Sequence, residues 1–282
     1  MTKELRYDEI GYWSEIKLDI IRDYAAAYSR ILSSQDKPRF FHIYIDAFAG
    51  AGQHISKTTG EFVLGSPANA LLVNPPFREY HFIDLDEQKT ESLEKISGSR
   101  KDVFIYNGDC NKILLDKVLP RAKYENYRRA LCVLDPCGLH LDWDVLQSIG
   151  SMKSVDIFLN FPVADMNRNV LWHDQERVPQ PQIERMNRFW GDDSWRNIAY
   201  TPSPQMTLFG KAPDEKVPNE IIAEAFRRRL IDVAGFRNVP EPMAMRNTQN
   251  AVVYYLFFAS HKPVAEDIMK DIFKKFLNRN GA

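Results

Sequence analysis

Residues 43–52, Ile43-Tyr44-Ile45-Asp46-Ala47-Phe48-Ala49-Gly50-Ala51-Gly52, decide how the rest of the chain is read. An apolar run ending in an acid predicts a buried parallel strand. The small residues after it allow a backbone turn to approach a ligand closely. An acid followed by a glycine-rich turn suits an amino group or a ribose hydroxyl. The pattern lacks the third glycine, three residues on, that a dinucleotide fold uses to pack helix on strand. An ordinary tight turn is the competing reading, so the neighbouring segments carry the decision.

Three more strand-then-acid units follow. Residues 79–88 predict a strand reaching Asp84, then a helix capped by Asp86. Asp84 stands where nucleotide-binding folds place an acid that holds both ribose hydroxyls. Residues 103–119 repeat the scheme with Gly108, Asp109 and Cys110. A carboxylate there can accept an adenine's exocyclic amine, and the Cys110 amide can donate to a ring nitrogen. Residues 130–146 carry Asp135-Pro136-Cys137-Gly138 at a strand end, and residues 154–162 form a fifth strand ending in Asn160 and Phe161. Ligands of open α/β sheets bind at that carboxyl edge. Residues 233–259 predict two strands too close for a crossover helix, hence antiparallel, and a helix closes the chain from Val264 to Leu277. The fold class is therefore α/β: a Rossmann-like, doubly wound, mostly parallel sheet with a terminal antiparallel hairpin and a helical or loop insertion.

Upstream, Trp13, Ile16, Ile20, Tyr24, Ala27 and Ile31 fall at steps of three or four and predict a helix, within an N-terminal helical segment of residues 1–40. Residues 53–65 form a loop free to fold over a ligand, and Ser66-Pro67 starts a late helix with the serine able to cap it. Residues 163–230, rich in proline, read as an insertion or specificity segment of a single domain spanning 1–282. Within it Arg168, Arg177, Arg185, Arg188 and Arg196 interleave with Trp172, Phe189 and Trp190, a mix suited to phosphate contacts and base stacking, although a small helical cap would look the same.

Composition excludes rather than identifies. A formal net charge of −1 gives no global pull toward nucleic acid or anionic membrane. Three cysteines without a C-x-x-C pair indicate neither a disulfide framework nor structural zinc, and the six histidines are scattered without paired ligand spacing, so no metal is expected. A charged N-terminus and the absence of any apolar run long enough to span a bilayer lead us to expect a soluble, cytoplasmic chain without a membrane partner. Oligomeric state is not encoded in any pattern found.

Taken together, the acids at Asp46, Asp84, Asp109 and Asp135 and the terminal hairpin resemble the class I S-adenosylmethionine-dependent methyltransferases. Within them the chain resembles the three-Cys-motif partner family, on IDAFAGAG, GSP at 65–67, FIDLD, NGD, LDPCG, LNFP followed by Arg168, YYLFFAS and the helix bearing Trp13 and Lys17. The cysteine motif in that name belongs to a genetic neighbour that itself resembles a radical-type S-adenosylmethionine protein. The resemblance implies that S-adenosylmethionine is the cofactor. Asp46, Ala47, Phe48, Gly50, Gly52 and Ser66 would surround its methionine part, Asp84 and Leu85 its ribose, and Gly108, Asp109 and Cys110 its adenine. Asp135, Pro136 and Cys137 would face the methyl group, Asp135 serving both cofactor and catalysis.

Amino-methylating relatives use an acid or Asn, two prolines and an aromatic that stacks on a flipped base. Cys137 stands where relatives of this family commonly have tyrosine, so Phe161 or Trp143 must supply the stacking, with Arg168 nearby for the substrate. A Cys137 nucleophile attacking a pyrimidine ring is the opposite reading, and a small packing cysteine a third. The function expected is methyl transfer to nucleic acid, at a base amine or ring position. The alternative is a non-catalytic cofactor-binding partner of the radical-type protein. A nicotinamide-dependent oxidoreductase is disfavoured by the missing glycine and the terminal hairpin.

Overall fold

The computed structural model describes residues 7–202, 206–207, 210–211 and 214–279. Seven strands form its central sheet: β1 (Phe41–Asp46), β2 (Glu79–Asp84), β3 (Val103–Asn107), β4 (Arg128–Leu134), β5 (Val155–Phe161), β6 (Met243–Arg246) and β7 (Val252–Ala259). Their order across the sheet is β3-β2-β1-β4-β5-β7-β6. β1 to β5 run parallel, while β7 is antiparallel to both β5 and β6. The arrangement expected from the sequence is therefore the one found: a Rossmann-like, mostly parallel sheet closed by an antiparallel hairpin.

Near-continuous apolar runs form the inner strands because helices cover both faces. One face carries α1 (Tyr12–Ser33), α2 (Ser66–Leu71), α3 (Glu87–Ser97) and α8 (Pro263–Arg279), packed through Ile20, Tyr24, Ala70, Leu93 and Met269 on Tyr44, Phe82, Val133 and Phe158. The other carries α4 (Trp143–Met152), α5 (Val163–Asn169), α6 (Gln180–Trp190) and α7 (Asn219–Asp232), packed on Ile45, Cys132, Leu134 and Phe257. Successive side chains of a strand alternate between these layers.

Three expectations need correction. Residues 53–65 are not a plain loop: Gln53–Ser56 and Phe62–Leu64 pair as a hairpin, and Glu9–Ile10 adds to it in parallel. Ser66 does not cap α2: Gly65 is the N-cap, and the Ser66 hydroxyl instead donates to Asp46. The 163–230 segment is helical, as one of its two readings had it, with a short helix Trp195–Ala199 besides α5, α6 and α7; what changes is the role of Phe189 and Trp190, which are fully buried. Those two rings pack on Phe226 at 5.5 and 5.4 Å between centroids. Apolar packing of α6 on α7 thus absorbs two of the three aromatics of the expected phosphate-and-base surface, and Trp172 is half-buried with its indole N–H donating to the Arg168 carbonyl. Of the proline-rich stretch in this segment, residues 203–205, 208–209 and 212–213 lie outside the described residues.

Candidate active site

The strand order reverses between β1 and β4, opening a crevice at their carboxyl ends. Asp46 ends β1 and Asp135 follows the end of β4, one on each side of it. Alternation turns both toward α1: Tyr44 and Val133, two residues before each, pack in the α1 layer. Lys17 projects from α1 between them. It is 8% exposed, forms an ion pair with Asp135 Oδ2 and lies 5.2 Å from the centre of the Tyr254 ring. Burial alone would lower its pKa, but the Asp135 carboxylate outweighs that and holds it above the ordinary lysine value.

Asp46 is fully buried and accepts from Ser66 Oγ at 2.5 Å and from the Phe48 amide at 3.3 Å. Burial pushes its carboxyl up to about 7, against the lowering effect of the Ser66 hydroxyl. A cavity of about 80 Å³ lies on the far side of Ser66 and Phe48 from this group, lined also by Ser14, Lys17, His54 and Asp135 among others. His54 comes from the hairpin over the site; burial lowers its pKa, and its Nδ1 is buried without a partner among the described residues.

The glycine turn is tied to the next strand. Gly50 N donates to Asp84 Oδ2 at 2.8 Å, and Ala49 N to the Ile83 carbonyl at 2.9 Å. Gly50 and Gly52 both have positive φ, and a Cβ on Gly52 would come within 2.8 Å of Ile96 Cδ1. The other Asp84 oxygen accepts from the Asp86 amide at 2.9 Å, and Asp86 caps α3 on Gln88 as expected. Beside Asp84, Leu85 is 77% exposed, an apolar surface left uncovered next to two acids. Gly108 N donates to the Asp84 carbonyl, and Asp109 is exposed and caps the turn that begins at Cys110. Burial pushes the Cys110 thiol up to about 12, so a packing role fits it.

Around Asp135 the loop is braced from below. Pro136 and Gly138 are buried, and a Cβ on Gly138 would come within 3.0 Å of the Asp165 carboxylate, which Arg185 faces at 3.5 Å. Cys137 is the exposed cysteine, while Cys110 and Cys132 are buried. Two expected substrate residues are corrected. Phe161 is fully buried against Phe189, Phe226 and Phe257, and Trp143 is 4% exposed with its ring under Arg229 at 4.8 Å. Phe161 falls on the sheet face opposite Asp135, and Trp143 belongs to the core of that same face, so neither can stack on a ligand there. Arg168 is exposed on α5.

The structure thus gathers Phe48, Ser66 and Asp135 around one cavity, with Asp46 buried behind Ser66, and lines Gly50, Asp84, Leu85, Gly108 and Asp109 along the neighbouring strand ends. Lys17, His54 and Asn160 belong to this edge too but were not assigned to it from sequence. For Lys17 the signal was present: an ammonium on the apolar stripe of α1, between Trp13 and Ile20, must meet a buried partner.

Neither a protein-family model nor a curated protein sequence matches the chain. Among solved structures it is similar to protein LPL1258 from Legionella pneumophila, with a TM-score of 0.51 and 12% identity over 92% of this chain and 91% of that one. A candidate S-adenosylmethionine-dependent methyltransferase from Listeria monocytogenes gives 0.41 at 13% identity, over 84% and 98% of the two chains. The plantazolicin methyltransferase BpumL, in complex with S-adenosylhomocysteine, gives 0.36 at 9%, over 88% and 86%. At 12% identity the likeness to the Legionella protein is one of fold.

Proposed function

We propose that the chain is an S-adenosylmethionine-dependent methyltransferase acting at the β1/β4 crevice. The observation that carries this reading is the pair Asp46 and Asp135, ending the two strands that flank the reversal of strand order, where ligands of open α/β sheets bind. The residues present fit an adenosyl group. Asp84 keeps lone pairs for a ribose diol after accepting its two amides. Leu85 offers an apolar face for the adenine beside Asp109. Asp46, Phe48 and Ser66 would meet the methionine end, and the bound cofactor would supply an electrophilic methyl group on a sulfonium sulfur.

The residues' own task is positioning. Lys17 fixes the rotamer of Asp135 through their ion pair and so presents the other carboxylate oxygen to a nucleophile as a hydrogen-bond acceptor. Nucleic acid as the methyl acceptor is supported by the exposed Arg168, Arg177 and Arg188 and no longer by Phe189 and Trp190. The burial of Phe161 and Trp143, with Cys137 in the family's aromatic position, favours a second reading: a cofactor-binding partner of a radical-type S-adenosylmethionine protein. The buried, reduced Cys110 and Cys132 suit the cytoplasm. No helix among the described residues is long and apolar enough to cross a membrane.

Calorimetric titration with S-adenosylmethionine, S-adenosylhomocysteine and NAD tests the cofactor. The first two should bind and NAD should not; binding of none, or of NAD alone, overturns the proposal. Labelled-methyl transfer to DNA, RNA and protein then separates an enzyme from a silent partner.

A further inference from the structure

Asn160 is the penultimate residue of β5, beside Asp135. In the parallel β4–β5 pairing Leu134 sits opposite Leu159, so Asp135 and Asn160 are the next residues along. Alternation turns Asn160 to the side of Phe158 and Asp156, which meet Tyr24 of α1, and so to the same layer as Asp135 and Lys17.

The orientation of the Asn160 amide is fixed. Its Nδ2 donates to the Pro136 carbonyl at 3.1 Å, and since a carbonyl cannot donate, the amide oxygen must point away from it. That oxygen is buried and has no partner among the described residues, in a side chain about nine-tenths buried. What sets this unpartnered acceptor apart is its place, one residue along from the Leu134–Leu159 pair and level with Asp135, where it is free to accept from a ligand.

We propose that Asn160 Oδ1 and Asp135 are paired acceptors for a substrate nitrogen carrying two hydrogens, so that the methyl acceptor is an –NH2 group and not a hydroxyl, a thiol or a ring carbon. The inference rests on the cofactor reading above. Lys17 holds Asp135 Oδ2, so the acceptor offered to a ligand is Oδ1. Two N–H bonds directed at two acceptors leave the nitrogen lone pair as its remaining direction of reaction. As the lone pair forms the new N–C bond, the C–S bond breaks with its electrons going to sulfur, and one nitrogen proton passes to water.

Sinefungin, which carries an amine where the cofactor has its methylsulfonium, tests this without turnover. The ratio of its affinity to that of S-adenosylhomocysteine reports the surroundings of that ammonium, and the part lost on removing one uncharged acceptor is the hydrogen bond that acceptor makes. In the unmodified chain sinefungin should bind at least about tenfold more tightly, the value of one hydrogen bond to a charged donor. Asn160→Leu should remove about tenfold of that ratio while leaving S-adenosylhomocysteine affinity within about twofold. Asn160→Asp, which keeps an oxygen acceptor, should retain the ratio. An unchanged ratio in Asn160→Leu overturns the proposal and assigns the oxygen to a structural water. If the leucine variant lacks a cooperative thermal transition, Asn160→Asp still decides: loss of the preference there overturns it. Equal binding of both ligands to the unmodified chain overturns the amine proposal and leaves the cofactor reading standing. Binding of neither removes both.

Discussion

Lys17 and Asp135 stand 118 residues apart in sequence and form a part-buried ion pair across the crevice. Removing one partner strands the other. Breaking a fully buried pair costs about 3–5 kcal/mol, but Asp135 keeps 30% of its side-chain surface, so we expect Lys17→Met to destabilise by about 1–3 kcal/mol. The double variant with Asp135→Asn should be less destabilised than the sum of the two single changes, read by urea unfolding. Additive losses would mean the pair is not formed in solution.

Asp84→Ala should weaken S-adenosylmethionine binding by about 1.5–3 kcal/mol, and by more than a ribose contact alone if the turn loosens, because the same carboxylate holds Gly50 N. Calorimetric affinity with the far-ultraviolet spectrum unchanged is the measurement. Undiminished affinity removes Asp84 from the site.

Stability should fall as pH rises from about 4 to about 7 through Asp46. Burial raises its folded pKa to about 7, above the unfolded value near 3.9, so in that window the folded chain binds the proton more tightly than the unfolded one. Asp156, buried and raised to about 6, adds a slope of the same sign. Asp46→Asn should flatten the unfolding free energy between about pH 4 and 7 relative to the unmodified chain. A parallel curve would place the charge elsewhere.

Gly150→Ala should be among the most damaging single changes, exceeding about 3 kcal/mol. A Cβ there would lie 1.9 Å from the Ala234 carbonyl oxygen, and a backbone atom cannot step aside as a side-chain tip can. Gly60→Ala, with positive φ but open space, should cost only about 1 kcal/mol. Thermal melts of the two variants check the contrast.

Cys137 should be the cysteine that iodoacetamide labels in the folded chain, since Cys110 and Cys132 are buried. Mass spectrometry of a native-state labelling series reads this directly. Labelling of two or three sites before unfolding would contradict the packing around β4.

Strands and their terminal acids were legible because a parallel strand covered on both faces is an uninterrupted apolar run, and an acid is the clearest way for such a run to end. Asp86 as a cap was legible for the same local reason. Aromatics were not: Phe161, Phe189 and Trp190 have identical side chains whether they stack on a ligand or fill a core, and only the packing of α6 and α7 decides. Ser66 misled because a hydroxyl before proline looks like a cap, and its true partner, Asp46, lies 20 residues away. Asn160 needed the strand register, which no periodicity carries.

The order of the sheet has a consequence for how the chain is made. β7, drawn from residues 252–259, is not an edge strand: it lies between β5 and β6. Until it emerges from the ribosome, β5 has one side unpaired and β6 has no neighbour in the sheet at all. A chain that stalls or is cleaved before residue 252 therefore bares an apolar strand border that recruits other strands, and we expect such fragments to aggregate instead of surviving as a smaller domain.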